Sequence, residues 1–229
     1  MALTLYFHPL SSYCHKALIA LYESGTPFEP IVVDFSDEAS SAAFKSVWPI
    51  AKLPALRDDD RDQTIGESTV VIEYLDIHYP GKHRLVPVDP DRALTVRLWD
   101  RFFDNYIHMP MFSIVADRLR PEDKRDPYGV ATWSAQLANS YRLAEAQLYG
   151  LTWITGDAFT LADCAAAPPL FYANTIVPIG AEHPKLAAYL DRLMARPSYA
   201  RVLKEAEPFF DMFPLEKKPR IAPALADGA

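Results

Sequence analysis

The sequence predicts an α/β domain followed by an all-helical domain. Within residues 1–81, short apolar runs of strand length alternate with helical patterns in the order β-α-β, a connection, then β-β-α. From residue 92 onward the apolar residues recur at helical spacing. The polar segment 82–91 between them contains Pro87 and Pro90, which is typical of a linker. Together these observations predict a mixed sheet with helices packed on it, joined to a helical domain.

The individual elements of the first domain are predicted from the spacing of apolar residues and from the positions of glycine and proline. Strands are predicted at 3–7, 31–33, 55–57 and 64–65. A helix is predicted over 13–24, where Gly25 supplies the stop, and another over 67–79, before Pro80-Gly81. The stretch 36–50 shows no clear period, and we expect it to be less regular.

The helical domain is predicted to span 92–212. Its candidate helices lie at 92–107, 128–148, 161–172, 185–195 and 199–206. Pro168-Pro169 should interrupt and kink the third of them. Residues 213–229 are rich in Pro, Lys and Ala, and we expect a loosely ordered tail.

Composition excludes several classes of function. The formal net charge of −7 argues against binding a nucleic-acid backbone. We find no apolar run near the roughly 18 residues of a membrane span, and no secretory signal. The two cysteines, Cys14 and Cys164, lie in dissimilar contexts, which fits a reducing, cytoplasmic environment. The six histidines are scattered without metal-ligand spacing, so no metal site is predicted.

A first candidate site lies where the first strand runs into a helix. The turn His8-Pro9-Leu10 is followed by Ser11-Ser12 at the predicted helix start. The first N–H groups of a helix lack internal partners and attract anions. A serine hydroxyl there contributes about 1.5–3 kcal/mol to a charged acceptor, and the helix end adds about 0.3–1 kcal/mol. Lowering a thiol pKa by about 2 units requires roughly 2.7 kcal/mol, so the pair could keep a bound thiol ionised.

Other interpretations of this segment remain open. Ser11 and Ser12 could simply cap the helix, and Tyr6 or Tyr13 could supply the hydroxyl instead. Cys14 follows Ser11 by three residues, which is the C-x-x-C spacing with serine in the first place. Since the usual nucleophile is missing, Cys14 is expected to be a packed helix residue, with redox chemistry as the alternative.

A second candidate site surrounds Leu53-Pro54. A proline directly before a strand would be explained by a cis peptide bond, although most such bonds are trans. That turn would expose the backbone of Leu53 to an extended peptide ligand. Lys52 could offer its charge to a ligand carboxylate.

A third candidate site is Glu67-Ser68 at the start of a helix. Ser68 is a natural N-cap, but the reciprocal Glu or Gln is replaced by Val71. Helix donors would then be left to hold a carboxylate, while Glu67 could bind an ammonium group. That combination suits the α-amino acid end of a γ-glutamyl group, whereas an ordinary N-cap with an exposed acid is the simpler reading.

Together these segments resemble the glutathione transferase superfamily over nearly the whole chain. The resemblance implies a thioredoxin-like domain that binds glutathione as co-substrate, with Pro54 as a cis-proline and Leu53 as its backbone contact. Glu67 and Ser68 would bind the γ-glutamyl group. In zeta-like classes the first serine of a Ser-Ser pair activates the thiol, which is Ser11 here, although those classes carry Ser-Ser-Cys and this chain Ser-Ser-Tyr-Cys.

The second domain adds to the resemblance. The run 159–163, Phe-Thr-Leu-Ala-Asp, is similar to the family's helix-starting signature, with Thr160 as the cap and Asp163 returning a bond to it. The resemblance also implies that a small apolar electrophile is bound between the domains. Its candidate contacts are Leu10, Tyr13, Phe103, Tyr106, Met109, Phe112 and Phe171.

Three functional hypotheses follow from the sequence. The leading one is a glutathione S-transferase acting in detoxification, in which Ser11 stabilises the thiolate. The second is a non-catalytic protein with the same fold, and the third is a thiol reductase that depends on Cys14. By analogy with the family we expect a homodimer.

Overall fold

A four-stranded mixed sheet forms the centre of the N-terminal part of the chain. The computed structural model describes residues 2–221, and the chain divides into two units between Val86 and Pro87. The strands are β1 (Leu3–Phe7), β2 (Glu29–Val32), β3 (Ala55–Asp58) and β4 (Gln63–Gly66). Their spatial order is β2-β1-β3-β4, with β1 parallel to β2 and the other two pairs antiparallel. The predicted mixed sheet is confirmed.

Three helices accompany this sheet. They are α1 (Ser12–Ser24), α2 (Glu38–Val47) and α3 (Ser68–His78). α1 packs against α3, and every residue of α1 from Cys14 to Leu21 is buried. α1 ends at Gly25, whose φ of 68° lies in the left-handed region that glycine adopts without a Cβ penalty.

The expectation of irregular structure over 36–50 was wrong, because α2 occupies most of that stretch. Its N-cap is Asp37, whose carboxylate accepts a hydrogen bond from the backbone N–H of Ala39 at 3.1 Å. Phe44 is the one residue of α2 that is buried. The other apolar residues of α2 are mostly alanines, so its apolar face is weak in sequence although it recurs at helical spacing.

The second unit is helical, as predicted. Its elements are α4 (Pro90–Phe102), a π-helical segment (Phe103–His108), α5 (Met109–Arg118), α6 (Pro127–Gln147), α7 (Leu161–Ile176), α8 (Pro184–Met194) and α9 (Pro197–Ala206). Short 3₁₀ segments lie at Glu122–Lys124 and Glu207–Met212. α7 is central, since its residues from Leu161 to Ala173 are all buried.

Two predicted helix boundaries in this unit require correction. α4 begins at Pro90, inside the predicted linker, because Asp89 accepts a hydrogen bond from the N–H of Arg92 at 2.9 Å and proline suits the first turn. The helix continues through the π-helical segment into α5 and so extends well past residue 107. α7 is likewise not interrupted at Pro168-Pro169. Both rings are buried, and packing around them holds the helix where two backbone donors are missing.

The start of the predicted tail is anchored to the helical unit. Phe213 is buried, and its ring stacks on Tyr172 with centroids 5.5 Å apart. The ammonium group of Lys218 donates to the carbonyl of Phe213 at 2.6 Å. The first residue of the predicted tail therefore packs on the helical unit. The remainder of that prediction, 222–229, lies outside the described residues.

Candidate functional site

The strand register brings the three predicted site segments of the first unit to one edge of the sheet. Tyr6 of β1 lies opposite Ala55 of β3, and Ala55 lies opposite Gly66 of β4. The turn after β1, the residues before β3 and the residues after β4 therefore share this edge. Since neighbouring strands are about 4.8 Å apart, β1 and β4 are separated by about 10 Å. An extended tripeptide has about the same length.

Ser11 is the N-cap of α1. Its backbone is extended, and its Oγ accepts a hydrogen bond from the N–H of Cys14 at 3.4 Å. A hydroxyl has two lone pairs and one hydrogen, so the capping bond still allows the hydrogen to be donated to a ligand. Ser12, the first residue of the helix, is buried. The cap and the proposed thiol contact are thus compatible for Ser11.

A buried histidine holds the turn in front of Ser11. His15 is fully buried, and its Nε2–H donates to the carbonyl of Pro9 at 2.5 Å. Burial lowers the pKa of His15 to about 4, although the bond to Pro9 acts in the opposite direction. The ring is therefore neutral at pH 7.

Cys14 is fully buried one turn into α1. Its Sγ accepts a hydrogen bond from the N–H of His8 at 3.5 Å. Burial raises the pKa of the Cys14 thiol to about 11, with the contacts to Ser11 and His8 lowering it in part. Because the nucleophile of a thiol reductase is a thiolate, this environment disfavours that role.

The second segment contains a cis peptide bond between Leu53 and Pro54, as the resemblance implies. Leu53 is half-buried against a small core cluster that includes Phe44 of α2. The side chain of Lys52 is exposed.

An aromatic ring connects this segment to the third. The indole of Trp48 packs on Gly66, and a Cβ at that position would overlap with the ring. Glycine is therefore required at the end of β4, directly before Glu67. Trp48 also packs on the same core cluster as Leu53. One side chain thus ties the residues that follow α2 to the residues that open α3.

The start of α3 differs from the prediction, because Glu67 and not Ser68 is the N-cap. The first intrahelical bond of α3 runs from the N–H of Val71 to the carbonyl of Glu67 at 2.9 Å, which places Ser68 inside the helix, where it is buried. Glu67 has φ 61° and ψ 113°. For a residue other than glycine such a backbone costs about 1–3 kcal/mol and is typical of functional sites.

The side chain of Glu67 leaves the N-terminus of α3 open. It makes no capping hydrogen bond to the first turn and is exposed. The N-terminus of a helix carries about half a positive charge. An exposed carboxylate at a helix N-terminus can bind the ammonium group of a ligand, while the helix N-terminus binds the carboxylate of the same ligand.

The candidate electrophile contacts fall into two groups in the second unit. Phe103 is fully buried against Trp99 and Phe102, so its ring belongs to the helical core. The same applies to Phe171, which packs against Phe210. Tyr106, Met109 and Phe112 each expose about half of their surface. In the first unit, Leu10 and Tyr13 are half-buried.

The predicted helix start at Thr160 is confirmed. The carboxylate of Asp163 accepts hydrogen bonds from the N–H of Thr160 at 2.8 Å and from its hydroxyl at 3.0 Å. It also accepts from the N–H of Ile154 at 3.0 Å and the hydroxyl of Tyr189 at 2.6 Å. Burial raises the pKa of Asp163, although these donors lower it in part. These contacts identify a folding element and no ligand site.

Other features of residues 2–221 add no second site. A cleft of about 190 Å³ in the helical unit is lined by Pro87, Arg92, Thr95, Val96, Thr155, Ala158 and Thr160. None of the predicted electrophile contacts lines it. Within these residues, no cluster of three or more His, Cys, Asp or Glu side chains could hold a metal ion. The helices in this range are too short or too polar to span a membrane.

Both halves of the chain match known protein families. Residues 5–83 match the glutathione S-transferase N-terminal domain, and residues 104–197 match the glutathione S-transferase C-terminal domain. Glutathione S-transferase GstB of Escherichia coli K12 is 26% identical over 203 residues, which cover 88% of this chain and 97% of GstB. A stringent starvation protein A homolog of Haemophilus ducreyi is 26% identical over 200 residues, covering 86% and 87% respectively.

One of the similar solved structures contains a bound ligand. The crystal structure of a glutathione S-transferase from Methylobacterium radiotolerans in complex with glutathione sulfonate has 30% sequence identity and a TM-score of 0.76. The similarity covers 87% of this chain and 93% of that protein. The chain belongs to the glutathione S-transferase superfamily.

Proposed function

We propose that the chain is a glutathione S-transferase in which Ser11 donates a hydrogen bond to the thiolate of bound glutathione. The observation that carries the proposal is the edge of the sheet where two helix N-termini occur, that of α1 at Ser11 and that of α3 at Glu67. The first suits a thiolate and the second suits an α-amino acid group. Their separation of about 10 Å matches an extended tripeptide.

At the thiol end the chemistry needs no general base. One hydrogen bond from Ser11 to a charged sulfur contributes about 1.5–3 kcal/mol, and the N-terminus of α1 adds about 0.3–1 kcal/mol. Together they lower the thiol pKa by about 2 units, which brings it close to neutral pH. The bond from His15 to Pro9 keeps the turn that precedes Ser11 in place.

At the peptide end the ligand is fixed by charge and by backbone pairing. Glu67 binds the α-ammonium of the γ-glutamyl group, and the first turn of α3, which includes Ser68, binds its α-carboxylate. The backbone of Leu53 before Pro54 pairs with the cysteinyl residue as an added strand. The exposed ammonium of Lys52 is available to the glycine carboxylate.

The second substrate in this proposal is a small apolar electrophile. The half-exposed side chains of Tyr106, Met109 and Phe112 are its candidate contacts in the helical unit, and Leu10 and Tyr13 are its candidates in the first unit. The thiolate attacks an electrophilic carbon and forms a C–S bond, either with loss of a leaving group or by addition to an activated double bond. We expect the enzyme to act as a cytoplasmic homodimer in detoxification.

A second candidate function is a non-catalytic protein of the same family. It is favoured by the similarity, over most of both chains, to a relative whose name describes no transferase, the stringent starvation protein A homolog of Haemophilus ducreyi. A scaffold would not need an open helix N-terminus at α3 with a strained N-cap. The reductase hypothesis is disfavoured by the burial of Cys14 and the raised pKa of its thiol.

The test is glutathione binding by calorimetry, with the thiolate of the complex read by ultraviolet absorbance. For Ser11→Ala we expect retained binding, loss of the thiolate signal near neutral pH and a fall in kcat/KM of about 10–150-fold. Removal of the cap also costs about 1 kcal/mol of stability, so the folded fraction is measured in parallel. Ser12→Ala and Cys14→Ala are the controls and should retain the signal.

Each alternative has its own outcome in this experiment. If the native chain does not bind glutathione at millimolar concentration, the transferase proposal fails and the scaffold takes its place. If Cys14→Ala abolishes thiol-disulfide exchange activity while Ser11→Ala does not, the reductase hypothesis is correct. If Ser11→Ala leaves the thiolate signal unchanged, another donor activates the thiol.

A further inference from the structure

Lys16 is a buried lysine in the middle of the apolar face of α1. Only 1% of its surface is exposed, and the five residues that follow it, 17–21, are apolar and buried as well. A lysine is almost never buried this completely unless polar partners compensate for its lost hydration. An apolar side chain would pack at this position without that cost. The charge therefore calls for an explanation beyond packing.

The contacts of Lys16 lead to the candidate glutathione site. Its Nζ donates a hydrogen bond to Oγ1 of Thr69 at 2.9 Å, among other interactions of both residues. Thr69 is the second residue of α3, two positions after the N-cap Glu67. The ammonium group is thus bonded to the first turn of α3, the turn to which the proposed function assigns the α-carboxylate.

We propose that Lys16 is a positioning residue for the α-carboxylate of the γ-glutamyl group, an inference that rests on the proposed function. Through Thr69 it fixes the first turn of α3 to α1, so that the backbone donors of this turn keep one orientation. Lys16 acts through the turn and does not touch the ligand.

The test compares two ligands that differ only at the group in question. One is glutathione, and the other is 4-aminobutanoyl-cysteinylglycine, which lacks the α-carboxylate. Dissociation constants are measured by calorimetry, with competition for the weaker ligand. The proteins are the native chain, Lys16→Met, Thr69→Val and the double variant. Thr69→Ser is the matched control, because it keeps the hydroxyl.

We expect Lys16→Met and Thr69→Val each to lower the affinity for glutathione about tenfold, which corresponds to the loss of one hydrogen bond to a charged group. The double variant should lose little more than the Lys16→Met variant, because both changes break the same contact. Affinity for the analogue should change less than twofold in every variant. Thr69→Ser should bind glutathione like the native chain. The KM for glutathione should rise, whereas the pKa of the bound thiol should not change.

Three results would overturn the inference. They are unchanged glutathione affinity in Thr69→Val, an equal loss of affinity for both ligands, and a shift of the bound thiol pKa. Thr69 is partly exposed, and threonine and valine have nearly the same shape, so Thr69→Val provides a decision even if Lys16→Met does not fold. The native chain separates the two proposals, since its failure to bind glutathione removes the proposed function and this inference with it.

Discussion

At the start of α7 a buried carboxylate accepts hydrogen bonds from the N-cap residue, whereas at the start of α3 the side chain of the N-cap makes no capping bond. Asp163 collects four hydrogen bonds, including those from the N–H and the hydroxyl of the N-cap Thr160, and is fully buried. Glu67 makes no capping bond, is exposed and has a positive φ. Both helices need partners for the N–H groups of their first turn.

The two N-termini differ in what we expect to bind their first-turn N–H groups, which is the chain itself at α7 and a ligand at α3. A closed N-terminus such as that of α7 contributes to stability and offers nothing to a ligand. At α3 the side chain of the N-cap makes no capping bond and its backbone is strained, which costs stability in the free protein. Selection would retain such a cost where a ligand completes the site, which is the role we propose for α3.

The largest expected effect is the loss of stability when the hydrogen bonds at the N-terminus of α7 are removed. In Asp163→Ala four donors lose their acceptor inside the helical core, each at a cost of about 1–3 kcal/mol before relaxation. We expect the free energy of unfolding to fall by about 3–5 kcal/mol. Urea titration followed by circular dichroism measures it.

The control for this change is Asp157→Ala. Asp157 lies in the same loop and is exposed, so its removal should change stability by less than about 0.5 kcal/mol. A similar small effect for Asp163→Ala would show that the buried network does not support the fold. The folding role that we assign to the N-terminus of α7 would then be wrong.

The next effect concerns α1, whose N-terminus is held by His15. The folded pKa of about 4 lies below the value of about 6.5 expected in the unfolded chain. Between these values the unfolded chain binds more protons, so stability falls as pH is lowered from about 6.5 to 4. The difference corresponds to about 3 kcal/mol at pH 4.

The variant His15→Gln isolates this contribution. Its amide can still donate to the carbonyl of Pro9 but does not titrate. We expect its unfolding free energy to decline less steeply below pH 6.5 than that of the native chain, as measured by urea titration at a series of pH values. Parallel curves for the two proteins would contradict a buried neutral histidine.

The parts that sequence reasoning recovered are those encoded by neighbouring residues. The turn after β1, the strand that follows Pro54 and the capping pair at Thr160 and Asp163 each follow from short patterns. Strand order and register then place the candidate segments at one edge, as a mixed sheet of this connectivity requires. Local sequence patterns therefore predicted most of the fold and indicated the segments that form the candidate site.

The parts that were missed depend on distant contacts or on backbone angles. Phe44 is the only large side chain that α2 buries, and most of the other apolar residues of this helix are alanines. The N-cap of α3 is Glu67 and not the predicted Ser68, and no sequence pattern indicates that a glutamate adopts a positive φ. The bond between Lys16 and Thr69 joins residues 53 positions apart, and a single sequence offers nothing that pairs them.

The smallest expected effect comes from a substitution that places a carboxylate of the chain itself at the N-terminus of α3. Since Glu67 is the N-cap, Val70 is the third residue of α3, and its side chain is about half exposed. In Val70→Glu a carboxylate enters the first turn, where the helix dipole favours it by about 0.3–1 kcal/mol. We therefore expect slightly higher stability together with a glutathione affinity that is reduced about fivefold, because the new carboxylate competes with that of the ligand.

Val70→Gln controls for the loss of the apolar side chain and should bind glutathione more tightly than Val70→Glu. Opposite signs for stability and affinity are the result that a binding N-terminus requires. If both rise or both fall, the donors of α3 are not the carboxylate site.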